Sequence, residues 1–410
     1  MGGIEDVDRK ELKESMKGIY LDHASAVPVE PRVLAFARPF LTERIGNPSS
    51  SHSVGTGARD ALEEAREKVA GLINAPEAKS IIFTGGVTEA NNLAVKGTAL
   101  RSVKKGRRLL ASAIEHMSVL NPMKELTKSG FEMDLVPVDS GGLVSLERLD
   151  ELITPETTVT SIMHANSEIG TIQSIGQIAE IVHRRGLYLH VDATATAGRL
   201  PIDVQEDRID LLTLSSNDLY GPQGAGALYV RPGLRLQTIL PGGGQERGLR
   251  SGTENLFAIA GMGEAARIAG QEMEGESRRL TAMRDDLIEG ILRIKDAYLT
   301  GHRTRRLPHH ASFRFDGIEG ESIVLTLDMG HGIQVSTGSA CSSRTLEPSR
   351  VLLAVGLKHE QVHGSMVITL GRSNTAEQVP VIVEAVGRTV EKLRKLSPLY
   401  GRVDRTSERE

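Results

Sequence analysis

The chain's one cysteine, Cys341, lies in Ser336-Thr337-Gly338-Ser339-Ala340-Cys341-Ser342-Ser343-Arg344-Thr345-Leu346-Glu347-Pro348-Ser349, where eight of fourteen residues are Ser, Thr or Gly. That composition cannot fill a core and predicts a mobile, exposed loop. A lone cysteine is by default a small core residue; amid hydroxyls and glycines this one is read as a group for chemistry. With no second thiol, an internal disulfide and a Cys-x-x-Cys zinc or redox motif are excluded. Asp192 ends the apolar run Tyr188-Leu189-His190-Val191. A carboxylate at the end of a buried strand caps a turn or meets a cation, because an unpaired buried charge is costly. Thr84-Gly85-Gly86-Val87-Thr88-Glu89 is a glycine bend opening a helix, which is often only a turn but can hold a phosphate on its exposed N–H groups. His116, in Ala113-Ile114-Glu115-His116, is read alone as a satisfied surface or core histidine. Arg372, in Thr369-Leu370-Gly371-Arg372, carries the planar fork that meets a carboxylate with two bonds.

These residues need a scaffold that brings strand ends together. Strand-like runs at 80–84, 108–113, 132–138, 158–164 and 188–192 alternate with helical stretches at 90–100, 118–128 and 175–183. Leu62, Ala65, Val69, Leu72 and Ile73 recur at helical spacing. The alternation predicts a mainly parallel sheet covered on both faces, with ligands beyond the carboxyl ends of its strands. From Gly301 onward the pattern becomes a smaller α+β unit, with strands at 309–315 and 365–370 and helices at 321–329 and 381–396. A long helical stretch over 255–295 connects the two. The expected organisation is an N-terminal extension at 1–18, a large α/β domain at 19–275, a connecting helix and small domain at 276–400, and a charged tail at 401–410.

The chain has 410 residues, a net charge of -4 and 39% apolar content, which is ordinary for a soluble globular protein of two domains. This charge gives no electrostatic footprint for nucleic acid, and the basic cluster Arg303 to Arg306 reads as a solvated loop. No apolar run approaches the roughly 20 residues that cross a bilayer, and the N-terminus has no hydrophobic signal region. The expected location is the cytoplasm.

The stretch Ile209 to Val230 contains Ser215-Ser216-Asn217-Asp218 followed by Tyr220-Gly221-Pro222. It resembles the cofactor-lysine segment of the cysteine desulfurases (NifS/IscS type), pyridoxal-phosphate enzymes with the aminotransferase class V fold, whose pattern is Ser-x-His-Lys before a Tyr-Gly-Pro turn. The resemblance runs from Tyr20-Leu21-Asp22-His23-Ala24 to about Tyr400. It implies that His116 stacks on the cofactor ring and that Asp192 pairs with the ring nitrogen. Val87, Thr88, Ser215 and Thr253 then match the phosphate cup, with Thr253 supplied by the other subunit of a homodimer. Asn47 and Arg372 match the clamp for the substrate carboxylate, and Cys341 matches the catalytic cysteine that carries sulfur as a persulfide from L-cysteine.

Four positions depart from the family pattern. Ser167 stands for an asparagine, Ala195 for a glutamine, Asn217 for a histidine, and Asp218 for the lysine that holds the cofactor. Aspartate cannot form an imine, although it can move a proton if its pKa is raised. The expectation is therefore a desulfurase-like protein that binds pyridoxal phosphate non-covalently if at all. Cys341 would act as sulfur carrier or as thiolate ligand to an iron–sulfur cluster shared with a scaffold protein of IscU type. The alternative is a working desulfurase with non-covalently bound cofactor, Asp218 serving as its proton-transfer group.

Overall fold

The computed structural model describes residues 18–338, 348–398 and 400. The tail expected at 401–410, nearly all of the extension at 1–18, and the proposed chemical group Cys341 lie outside the described residues. The first described strand, β1 (Ile19–Tyr20), is followed by β2 (Ile81–Thr84), β3 (Arg108–Ser112), β4 (Glu132–Val136), β5 (Thr157–Ser161), β6 (Leu189–Asp192), β7 (Leu211–Ser215), β8 (Gly226–Val230), β9 (Ala297–Leu299), β10 (His310–Phe315), β11 (Ile333–Gln334) and β12 (Ser365–Thr369).

The chain divides into two compact units. The larger comprises residues 26–166 and 171–275. Its seven-stranded sheet has the order β2-β8-β7-β6-β5-β3-β4. The β4–β3, β3–β5, β5–β6 and β6–β7 pairs are parallel, and β8 is antiparallel to both of its neighbours. β5 to β8 are buried at every position. Their near-continuous apolar text therefore suits a sheet covered on both faces. The strand order reverses at β3 and β5, since the chain leaves β3 for β4 on one side and then lays β5, β6 and β7 on the other. Such a reversal opens a crevice beyond the carboxyl ends of the strands. His116 follows β3, Asn166 follows β5, Asp192 ends β6 and Ser215 ends β7.

The smaller unit gathers the described residues up to Ser25, Ser167–Gly170 and those from Glu276 onward. Its three-stranded sheet runs β12-β10-β9, all antiparallel. The helices Gly320–His331 and Gln378–Leu396 belong to the same unit, where Ile323, Leu327, Ile382, Val386 and Val390 join the strand residues Phe313 and Ile368 in one core. Expected in the large domain, β1 instead pairs in parallel with β11, because Ile19 N–H bonds the Gly332 carbonyl and Leu21 N–H bonds the Gln334 carbonyl. The long connecting helix spans Leu256–Ile291.

One surface expectation is corrected. Arg306 is buried rather than solvated: its guanidinium donates to the carbonyls of Thr300 and His302 and to Ser312 Oγ, and burial lowers its pKa to about 9. Of the loop expected over 336–349, residues 339–347 lie outside the described residues. Ser349 is buried, its Oγ accepting from Leu352 N–H to cap the helix Arg350–Ala354, and Ser336 exchanges two backbone bonds with Val367. Both flanks of the segment are thus anchored by backbone pairing or capping.

Candidate cofactor site and its altered bend

The phosphate end is built by β2 and the helix Val87–Arg101. Gly86 is the helix N-cap at φ +150° and ψ -179°, a conformation that glycine alone adopts readily, and it offers no side-chain cap. The first-turn N–H groups are thereby left for another acceptor. Gly226 of β8 lies against this turn so closely that a Cβ there would come within 2.7 Å of the Gly86 carbonyl carbon. The turn itself is braced. Glu89 accepts from Gly85 N–H at 2.9 Å and pairs with Arg250 at 2.8 Å. Behind it, the buried Glu246 accepts from Phe83 N–H and makes a bidentate pair with the buried Arg66 at 2.7 and 2.8 Å.

Asp192, 5% exposed, is held in place by two donors. Asn91 Nδ2 donates to its Oδ2 at 2.8 Å, and Thr194 N–H donates to its Oδ1 at 3.0 Å. Asn91 Nδ2 also donates to Ser118 Oγ at 2.8 Å, and Ser118 Oγ is 2.7 Å from His116 Nδ1. His116 is the N-cap of the helix Met117–Thr127 and is an exposed residue. Below Asp192, His190 is sandwiched between Ser161 Oγ at 2.8 Å and Thr213 Oγ1 at 3.0 Å, and burial holds its pKa well below the ordinary histidine value. The platform beneath Asp192 is therefore neutral and fully bonded.

The bend after β7 differs in kind. Asn217–Leu219 form a single 3-10 turn, closed by Tyr220 in the left-handed region at φ 64°. Gly221 follows because a Cβ there would sit 2.4 Å from Ser216 Oγ. Ser215 Oγ accepts from Asp218 N–H at 3.3 Å. Burial pushes the Asp218 carboxyl up from its ordinary value, and the charge of Asp192 adds to the rise, while Arg199 and the Ser215 hydroxyl pull the other way. Asp218 is thus an acid poised to keep its proton at higher pH than a free aspartate.

Of the remaining expected residues, Ala195 is half-buried, Thr88 and Thr253 are exposed, and Val87 is half-buried at the first position of its helix, all in the large unit. Asn47 is exposed there, its Oδ1 accepting from Ser49 N–H at 2.9 Å. Ser167 is exposed and groups with the small unit, where its carbonyl meets His310 Nε2 at 2.8 Å. Arg372 also belongs to the small unit and is half-buried. Within the large unit the structure brings His116, Asp192, Ser215, Asn217 and Asp218 to strand ends, as the parallel sheet requires.

The sequence profile of the family Aminotransferase class-V matches residues 19–382. The chain is 54% identical to cysteine desulfurase IscS 1 of Archaeoglobus fulgidus, over 93% of this chain and all of that protein. It is 44% identical to cysteine desulfurase IscS of Methanosarcina thermophila, over 98% of this chain and 99% of that one. The chain belongs to the cysteine desulfurase family. Among solved structures, a NifS-like protein superposes with a TM-score of 0.86 at 34% identity, over 92% of this chain and all of that one. The fold is the class V aminotransferase fold, with a mainly parallel central sheet.

Pyridoxal phosphate is the cofactor of this family, and the residues present fit it unevenly. The carboxylate of Asp192 and the uncapped helix start at Gly86 suit a protonated ring nitrogen and a phosphate. The bend holds a carboxyl, Asp218, with no amine to bond an aldehyde. Reading the sequence missed Asn91, Ser118, Arg199 and the Arg66–Glu246 pair. Asn91 had a signal, being a polar residue between buried Ala90 and Leu93 on a helix face that also carries Ala94 and Val95.

Proposed function

We propose that this chain is a cysteine desulfurase relative that keeps a pyridoxal-phosphate cradle without a covalent anchor. It serves iron–sulfur cluster assembly as a cytoplasmic homodimer, with Cys341 as sulfur carrier or as thiolate ligand to a cluster on a scaffold protein of IscU type. The observation that carries this reading is Asp218, a carboxyl with a raised pKa set at the end of β7 beside Arg199, where the family's cofactor lysine is expected. When bound, the cofactor supplies an aldehyde for an amine to condense with and a ring that draws electrons from the attached carbon. On this reading Asp192 keeps the ring nitrogen protonated, the helix start at Gly86 and Ser215 hold the phosphate, and Thr253 reaches the partner subunit's phosphate. Asn47 and Arg372 bind the carboxylate of L-cysteine. Asp218 has no nucleophilic nitrogen, so its capacity is limited to holding or moving a proton.

A second reading, a working desulfurase with non-covalently bound cofactor, is favoured by the same raised Asp218, because a carboxyl that keeps its proton to higher pH than a free aspartate can also deliver one. A relative of 32% identity, solved in complex with cysteine at a TM-score of 0.77, supports cysteine as a ligand in either case. Sulfide release from L-cysteine with added pyridoxal phosphate separates the two. The proposed function expects no release above the uncatalysed mixture, with cluster formation on the scaffold lost in Cys341→Ser. Release that disappears in Cys341→Ala supports the second reading, and cluster formation unchanged in Cys341→Ser overturns the ligand and carrier roles. The bend is tested by Asp218→Lys, which should turn the protein yellow with pyridoxal phosphate and let borohydride bleach it. A folded variant that stays colourless shows that the bend is not the remnant of a lysine site.

A further inference from the structure

The hydrogen bonds around Asn91 are directional enough to assign protons. Asn91 is fully buried, and its Nδ2 stands 2.8 Å from Asp192 Oδ2 and 2.8 Å from Ser118 Oγ. A carboxylate can only accept, so the amide must present its NH2 to Asp192, and the same NH2 has one hydrogen left for Ser118. Ser118 Oγ therefore accepts from Asn91, and its own hydroxyl proton is free to point onward. The next atom is His116 Nδ1, 2.7 Å away. That nitrogen also receives Ser118 N–H at 3.1 Å. Two donors converge on Nδ1, which leaves it no room for a hydrogen, so the neutral ring carries its proton on Nε2.

We infer that Asn91 and Ser118 are positioning residues that lock His116 in its Nε2–H tautomer and tie that choice to the Asp192 carboxylate. The juxtaposition comes from the fold. The helix Val87–Arg101, whose first turn opens at Gly86, presents Asn91 one turn later, and the helix Met117–Thr127 presents Ser118 in its own first turn. One short array thus fixes the carboxylate at the end of β6 and the ring that follows β3. The consequence for the proposed site is that Nε2 of His116 acts as a hydrogen-bond donor and Nδ1 as an acceptor, so the ring does not serve as a base in its resting state. This consequence rests on the cofactor reading; the tautomer itself is a property of the free protein.

The test uses the full-length protein labelled with 15N-histidine, at a pH above the ordinary histidine range, with the His116 signals assigned by their loss in His116→Gln. The wild type should show the pattern of a single Nε2–H tautomer. Asn91→Leu removes the donor that orients the Ser118 hydroxyl, so that hydroxyl can now accept from Nδ1–H; because Ser118 N–H still donates to Nδ1, the single pattern should give way to a mixture in which Nε2–H remains the larger part. Ser118→Ala should do the same, and Ser118→Thr should restore the wild-type pattern. An Nδ1–H tautomer in wild type overturns the inference, as does an unchanged single tautomer in a folded Asn91→Leu and Ser118→Ala. If Asn91→Leu fails to fold, the Ser118 pair decides alone. A separate absorbance titration with pyridoxal phosphate tests the cofactor reading, so a protein with the assigned tautomer and no chromophore sinks that reading and leaves this one standing.

Discussion

Asp192 and Asp218 lie at the ends of neighbouring parallel strands, share a sheet and a residue type, and sit in opposite circumstances. Asp192 is met by an amide and a backbone N–H, the two kinds of donor that favour a carboxylate. Asp218 follows a one-turn bend, and there burial outweighs the help of Arg199 and Ser215. One carboxyl is met by two donors; the other is pushed up by burial. The difference teaches that the two ends of this crevice are built by different elements, since the donors that serve Asp192 come from the helix Val87–Arg101 and from the turn after β6, while the charge of Asp192 still reaches Asp218.

The strongest way to break the comparison is to undermine the framework of the charged end. Glu246→Ala removes the partner of the buried Arg66 and an acceptor for Phe83 N–H, just before the glycine turn. Breaking a buried pair from one side costs about 3–5 kcal/mol, so denaturant unfolding should show a loss of that size. A loss below about 1 kcal/mol would mean that the pair does not brace the turn.

A third carboxylate sharpens the contrast from the small unit. Glu168 is pushed up to about 7, chiefly by burial, with the Ser349 hydroxyl and Arg350 opposing. Its folded value lies above the ordinary 4.5, so the folded state holds the proton more tightly than the unfolded chain does. The stability it contributes is full below the unfolded value and is lost as pH rises through about 7. The loss amounts to about 3 kcal/mol, and Glu168→Gln should flatten the stability curve across that window. Equal pH dependence in variant and wild type would refute the assignment.

Asp192→Asn then tests the charge-holding end directly. Replacing a carboxylate that would meet a protonated ring nitrogen removes a charge-assisted bond of about 1.5–3 kcal/mol, so affinity for pyridoxal phosphate should fall about 10- to 100-fold by absorbance titration. Ala195→Ser, at the other end, should leave affinity within about threefold. Equal effects of the two substitutions would erase the distinction between the ends.

Much of this arrangement is legible in the chain because parallel sheets write themselves as apolar runs with chemistry at the carboxyl ends. Asp192 stands out by its position at a strand end, whereas Ser215 and His116 gain a role only from the family resemblance, and Asp218 from its departure from a strong motif. The donors are hidden for a physical reason. Asn91 lies on a helix that reads as plain core, and Arg199 in a turn among small residues, so neither announces the strand end it serves. The pairing of β1 is illegible for a related reason: a two-residue strand carries no periodicity, and its partner β11 lies more than 300 residues away. The burial of Arg306 escapes notice because neighbouring basic residues look like a solvated run, whereas local carbonyls at Thr300 and His302 satisfy this one.

The smallest effect is the most specific to the bend. Asp218 has a folded pKa raised above its unfolded value, so its carboxyl contributes most to stability below the unfolded value and loses that contribution as pH rises through the folded one. At neutral pH the ionised form carries a net penalty, and that net already includes the attraction of Arg199. Asparagine keeps the size and polarity of the neutral acid and cannot ionise. Asp218→Asn should therefore be more stable than wild type at neutral pH, because the variant has no carboxylate whose ionisation burial penalises. The gain should vanish toward acid pH, where wild type is protonated as well. Thermal melting at several pH values reads both the sign and its disappearance. Should Asp218→Asn be destabilising at neutral pH, the attraction of Arg199 would outweigh burial, and the bend would favour an ionised carboxyl.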